Sequence, residues 1–185
     1  MIPVPNKKFL IARVITSKEV VQFHLKNFIQ NVPEDFQLAV IGEDVETYRK
    51  KFPEIQWINL KIERKLSPRK DFISLLQLPY IFLKLRPDIV HSIMPNSALI
   101  SAMAGWLTRV PVRLHTFTGQ IWATRTGIKR SLFKSIDRLI IKLNTNCLTD
   151  SKSQSDFLLT NSISINGRPL PILGFGSLDG VDLNI

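Results

Sequence analysis

Apolar runs and polar gaps alternate along this chain. FLIARVI (9–15) is nearly continuous and β-branched, the pattern of a strand covered on both faces. Residues 18–30 follow with Val21, Leu25, Phe28 and Ile29 at helical spacing. LAVI (38–41) predicts a second strand, 43–52 a polar helix and QWINL (56–60) a third strand. Residues 71–85 predict a helix kinked near Pro79, and DIVHS (88–92) a fourth strand. SALISAMAGWL (97–107) is an Ala-rich helix and VRLHT (112–116) a fifth strand. The clearest helix is 128–143, where Ile128, Leu132, Ile136, Leu139, Ile140 and Leu143 fall on one face. NCLT (146–149) is a sixth strand, Ser151 caps a helix over 152–160, and PILGFG (171–176) gives a last strand and a glycine turn.

Strands alternate with helices from one end to the other. That order predicts an α/β fold with right-handed crossovers. The expected form is a Rossmann-like three-layer domain over 1–185, its mostly parallel sheet holding about six or seven strands. Ligands in such sheets sit beyond the C-terminal ends of the strands. The residues expected on that edge are Thr16, Ser17, Gly42, the segments 91–96 and 115–120, Asp150, Ser151 and the segment 174–177. They are mostly polar or small, as the rim of a cleft should be.

Composition narrows the classes. The chain has 185 residues and 44% hydrophobic content, enough for a substantial core. No run of 18 apolar residues suggests a spanning helix, and the N-terminus lacks a cleavable-signal layout. The single cysteine, Cys147, cannot form an internal disulfide and reads as a small buried strand residue. The net charge is +10, which attracts phosphate in nucleotides, nucleic acid or anionic lipid without choosing among them.

The stretch HTFTGQIWATR (115–125) carries more chemistry than a connecting loop needs. His115 ends the fifth strand and predicts a base or hydrogen-bonding group at the cleft, since imidazole accepts a proton near neutral pH. His91 ends the fourth strand; it reads as a site residue or as a buried histidine bonded to backbone. The three histidines and one cysteine show no metal-ligand spacing, so no metal is expected. The loop after the first strand, ITSKEVV, has no G-x-G-x-x-G, which disfavours a nicotinamide cofactor. There is no P-loop and no G-x-S-x-G. Two basic clusters stand out. One is KIERKLSPRK (61–70); the other is the ridge Arg130, Lys134, Arg138 and Lys142 beside the apolar face of 128–143. Each reads as a solvated face or as a contact with an anionic membrane or a phosphate-bearing ligand. The apolar segment 72–85 after the first cluster adds weight to a membrane. RNA binding is disfavoured, because no exposed aromatics interleave the cations.

PDIVHSIMPN, RVPVRLHTFTG, SIDRL, DSKSQSDF and GSLDGVD occur in this order from residue 87 to the tail. Together they resemble the N-terminal half of family-4 glycosyltransferases of the GT-B fold, nearest the bacterial capsule, O-antigen and exopolysaccharide branch. The resemblance runs from about residue 9 to the last residue. It implies the acceptor-binding half of an enzyme that moves a sugar from a UDP- or GDP-linked donor to a lipid-linked saccharide. The donor-binding C-terminal domain would be a missing or separate partner, and this half alone would be inactive. The expected location is the cytoplasm, peripheral on the inner face of the plasma membrane.

The resemblance further implies that His115 is the site histidine. Thr116, Thr118, Gly119 and Gln120 would shape the cleft, with His91, Asn96 and Ser151 contributing. Asn96 stands where the family commonly has lysine. Trp122 and Arg125 would face the sugar or its diphosphate, with Trp122 equally readable as a core or interdomain anchor. Gly176, Ser177, Gly180 and Asp182 would form the interdomain hinge. Two alternatives remain open on the residues: a non-catalytic subunit that docks a separate donor-binding chain, and a basic RNA-binding α/β domain.

Overall fold

The computed structural model describes residues 8–63, 67–174 and 176. The apolar run at the start forms β1 (Phe9–Ser17), with Ala12, Val14 and Ile15 fully buried. Two short helices follow, α1 (Glu19–His24) and α2 (Lys26–Gln30). They are separate because Leu25, itself fully buried, leaves helical geometry at φ −131°. Next come β2 (Phe36–Glu43), β3 (Gln56–Asn59), α3 (Pro68–Leu85), β4 (Ile89–Ser92) and α4 (Pro95–Leu107). The chain continues through β5 (Val112–Phe117), α5 (Gly127–Leu143), β6 (Asn146–Thr149) and α6 (Lys152–Thr160).

All strand pairs are parallel, in the order β3-β2-β1-β4-β5-β6. That is the doubly wound order whose direction reverses between β1 and β4, and the expected α/β Rossmann-like sheet is present. One core lies between the sheet and α3 and α4, built around Val14, Leu78, Phe82, Val90 and Ile100. Another lies beneath α1 and α2, around Ile15, Leu25, Val40 and Trp57. A third joins α5 and α6 to β5 and β6 through Phe117, Trp122, Ile140, Cys147 and Leu158.

Helix starts obey local rules. Pro68 and Pro95 open α3 and α4, where a missing N–H costs nothing. The Asp71 carboxylate accepts from the Ser67 amide at 2.8 Å. Ser151 caps α6 as expected, its Oγ accepting from the Gln154 amide. Gly42 is required where β2 meets β1, because a Cβ there would lie 2.8 Å from Ile15 Cγ1 and 2.9 Å from its carbonyl oxygen.

Three expectations are corrected. Residues 43–52 form only a 3-10 turn over Val45–Tyr48, entered through Asp44 at a left-handed φ of 56°, although Val45, Tyr48 and Phe52 pack against the core. Residues 171–176 give a single bridge, Thr149 to Ile172, rather than a strand; Pro171 has no N–H to donate to a ladder. The apolar face of α5 is only partly covered. Ile140 is buried and Ile136 half-buried, while Ile128 is 89% exposed and Leu132 58%.

Candidate functional site

Ser92 of β4 pairs with His115 of β5, and His91 with Leu114. Strand alternation sends neighbouring side chains to opposite faces of the sheet. On one face a polar row crosses three strands. Arg13 Nη1 donates to His91 Nδ1, and His91 Nε2 lies 2.9 Å from Thr116 Oγ1. A guanidinium can only donate, so Nδ1 holds the lone pair and the proton sits on Nε2. Burial first, then the charge of Arg13, holds His91 well below the usual histidine pKa. The ring is neutral, and Arg13 also lies over the Phe28 ring at 4.9 Å.

His115 sits on the other face and is 1% exposed. Its Nδ1 is 3.0 Å from the Ser92 carbonyl oxygen and 3.0 Å from Ser92 Oγ. The carbonyl can only accept, so Nδ1 carries the proton and Nε2 keeps its lone pair. Phe117 meets the ring edge-on at 4.4 Å. Burial lowers the pKa to about 3, against a smaller opposing effect of the Ser92 hydrogen bond. With that pKa the ring is neutral near pH 7 and meets its surroundings as a hydrogen-bonding group.

His115 lines a narrow pocket with room for little more than one water-sized group. Leu99, Phe117, Phe133, Ile136 and Ile140 make its walls apolar. Asn96, Thr118, Gln120, Trp122 and Asp137 bring polar groups to the lining, which Gly119 also joins. Thr118 Oγ1 donates to the Ile93 carbonyl at 3.3 Å. Asn96 is 3% exposed, and its Nδ2 donates to the Glu63 carbonyl and to Asp71 Oδ1. Those two acceptors fix the amide orientation and leave Asn96 Oδ1 without a partner. Gln120 Oε1 accepts from Gln154 Nε2 of α6, which leaves Gln120 Nε2 without one. An orphaned acceptor and an orphaned donor thus belong to the same pocket lining as His115. Buried polar groups are normally satisfied, so such groups call for a ligand or a water.

Trp122 points inward. It is 1% exposed, stacks on Phe157 at 5.2 Å and donates Nε1–H to Asp137 Oδ2 at 2.6 Å. Of its two sequence readings, the core anchor is the one that the burial fits. Burial raises the Asp137 pKa to about 6, and the Trp122 hydrogen bond offsets part of that. Arg130 and Lys134 lie over the indole at 5.2 and 5.4 Å. Three of the four ridge cations are therefore engaged within the protein: Arg130 also donates to Asn161 Oδ1 at 2.8 Å, and Arg138 to the Ser162 carbonyl.

The remaining candidates lie apart from this pocket lining. His91 and Thr116 belong to the polar row on the opposite face. Arg125 is exposed, its amide closing a turn onto the Trp122 carbonyl. Ser151 serves as a cap. Gly176, at φ 101°, packs where a Cβ would overlap the Asp150 carbonyl oxygen. Ser177, Gly180 and Asp182 fall outside the described residues. Among the described residues no group of His, Cys, Asp and Glu could hold a metal ion. Likewise, no helix there is long and apolar enough to cross a membrane. Cys147 is buried, and burial raises its pKa to about 12.

Sequence reasoning passed over Arg13 and Asp71, and held Ser92 only within the 91–96 rim and Asp137 only within the SIDRL motif. Arg13 had a signal: it is the one charge inside FLIARVI. Asp137 and Asp71 look like ordinary helix acids, and only their partners Trp122 and Asn96 reveal them.

The chain matches a family model described as glycosyl transferase 4-like over residues 11–152. A capsular polysaccharide biosynthesis glycosyltransferase of Staphylococcus aureus, CapM, is 24% identical over 170 residues, covering 86% of this chain and 44% of that protein. Among solved structures, a glycosyltransferase from Rickettsia africae superposes with a TM-score of 0.59 at 18% identity, over 82% of this chain and 39% of the other. A UDP-N-acetylglucosamine 2-epimerase from Rickettsia bellii gives a TM-score of 0.58 at 12% identity, over 85% and 43%. Identities this low carry the fold alone. The chain spans less than half the length of these relatives.

Proposed function

We propose, for a chain that belongs to the glycosyl transferase 4-like family, that it is the acceptor-binding half of a glycosyltransferase in cell-surface polysaccharide synthesis. The donor is a nucleotide sugar, UDP- or GDP-linked. The acceptor is a lipid-linked saccharide at the cytoplasmic face of the membrane. A C-terminal or separate donor-binding domain completes the cleft, and the present half does not turn over by itself. The likeness to a capsular polysaccharide glycosyltransferase supports the reaction class.

The observation that carries this reading is the unsatisfied polar set at the β4–β5 edge. His115 Nε2 and Asn96 Oδ1 accept, and Gln120 Nε2 donates. Saccharide hydroxyls both donate and accept, so they complement such a set. The pocket is too narrow for a whole ring. One substituent enters beside His115 while the ring lies across the 118–121 loop. With a pKa of about 3, His115 is too weak a base to remove a hydroxyl proton outright near neutrality. It positions the acceptor by accepting a hydrogen bond, and orientation of this kind alone is worth orders of magnitude in rate.

The test is reconstitution. The chain is mixed with the donor-binding half of a full-length homologue, and sugar transfer to membrane-lipid acceptors is measured. Transfer should require both chains and fall about a hundredfold in His115→Ala. Association without transfer would favour a non-catalytic docking subunit. Salt-sensitive RNA binding independent of His115, with no transfer, would favour the nucleic-acid reading.

A further inference from the structure

Among the described residues, five other than glycine hold a left-handed φ: Asp44, Arg86, Arg109, Ser162 and Asn166. Asp and Asn visit this region because a short polar side chain can bond locally, whereas a long side chain gains nothing there and its Cβ crowds the following carbonyl. The two arginines are the long side chains of the set, and they share a place. Both line one groove, at the edge of the sheet where β4 and β5 begin. Arg86 ends α3 at φ 50° and ψ 56°, its amide bonding to the Phe82 carbonyl at 2.8 Å. Arg109 follows α4 at φ 56°, and the next amide, that of Val110, bonds to the Gly105 carbonyl at 2.9 Å. Helices that stop in this way usually do so on glycine. A cation favours a helix C-terminus, but Lys84 already supplies one to the last turn of α3. Strain of this kind, held twice on one groove, points to a functional position.

The chemistry of the groove selects a ligand class. Neither guanidinium has a hydrogen bond or ion pair to another described residue. Asp88, the acid of the lining, accepts from the Leu10 amide at 2.9 Å. The groove holds about 430 Å³, the size of a small-molecule site, and Leu83 and Pro111 give it apolar surface. A guanidinium presents a fork of donors that matches phosphate oxygens in pairs.

We propose that Arg86 and Arg109 form a binding site for a small soluble phosphate ester. The phosphate takes the guanidiniums and the organic part lies on the apolar surface. This site is separate from the His115 pocket, which sits at the other ends of β4 and β5, and it does not rest on the acceptor reading.

The test titrates the full chain with phenyl phosphate at constant ionic strength, followed by calorimetry and by NMR of the histidine rings. Wild type should bind saturably, with the His115 resonances unmoved. Arg86→Gly with Arg109→Gly should weaken binding about tenfold or more. Glycine suits both backbone conformations, so the same variant should melt at or above wild type in chloride buffer. A variant that melts well below wild type would mean that the arginines hold the fold rather than a ligand, and would overturn the proposal. Unchanged binding in the variant, or binding that shifts the His115 ring, would do the same. So would wild type that ignores phenyl phosphate, whether or not it takes up phosphatidylglycerol vesicles.

Discussion

Acid should destabilise this fold through its buried histidines. The unfolded His115 titrates near 6.5 and the folded one near 3. Between those values the unfolded chain takes up a proton that the folded chain refuses, so stability falls as pH falls. The stability is fully present above 6.5, and the whole gap corresponds to about 5 kcal/mol, or about 1.4 kcal/mol per pH unit. His91, also lowered, acts in the same direction. Asp137 opposes them. Its folded pKa is about 6 against an unfolded 3.8, so it returns about 3 kcal/mol as pH falls through that range. Urea melts followed by circular dichroism at pH 7, 6, 5 and 4.5 measure the net slope. The informative comparison is with His115→Asn, whose amide can still donate to the Ser92 carbonyl. Its stability at pH 7 is immaterial, because the other titrating groups cancel in the difference of slopes. Between pH 6 and 4.5 the variant should lose about 1.4 kcal/mol less per unit than wild type. Equal slopes would mean that the folded His115 titrates like a solvated imidazole, and the buried neutral site would be refuted.

Other consequences are local. Trp122→Phe leaves the buried Asp137 carboxyl without its donor and should cost about 2–3 kcal/mol in urea melts, more than the lost ring area alone. Gly42→Ala drives a Cβ against the Ile15 backbone and should cost about 1–3 kcal/mol, read as a lower melting temperature. Cys147, buried and with its pKa raised to about 12, should resist alkylation in the native state and react only once urea unfolds the chain.

Much of the sheet was legible because its strands are buried on both faces. FLIARVI and LAVI show as apolar runs whatever packs on them, and the alternation of strands with helices dictates a parallel order. The cleft edge followed from that order together with HTFTG. Periodicity could not show coverage. The stripe on α5 has the right spacing, yet Ile128 and Leu132 face outward because the pattern of one helix does not say what lies against it. The state of His115 was equally hidden. Phe117 lies two positions along the same strand and on the same face, but Ser92, whose carbonyl holds the Nδ1 proton, lies on β4, 23 positions away. Trp122 read ambiguously for the same reason: its partners Asp137 and Phe157 are 15 and 35 positions away in sequence.

The central claim is that the pocket at the end of β4 and β5 holds the saccharide by His115 Nε2. The chain has three histidines, so their ring nitrogens can be resolved by NMR of the labelled protein. Titration with a short-chain prenyl-diphosphate saccharide tests the claim most directly. The account predicts a saturable shift of the His115 Nε2 resonance, with Nδ1 still protonated and His24 unmoved. Saturable binding that shifts other residues and leaves both His115 nitrogens unchanged would contradict it.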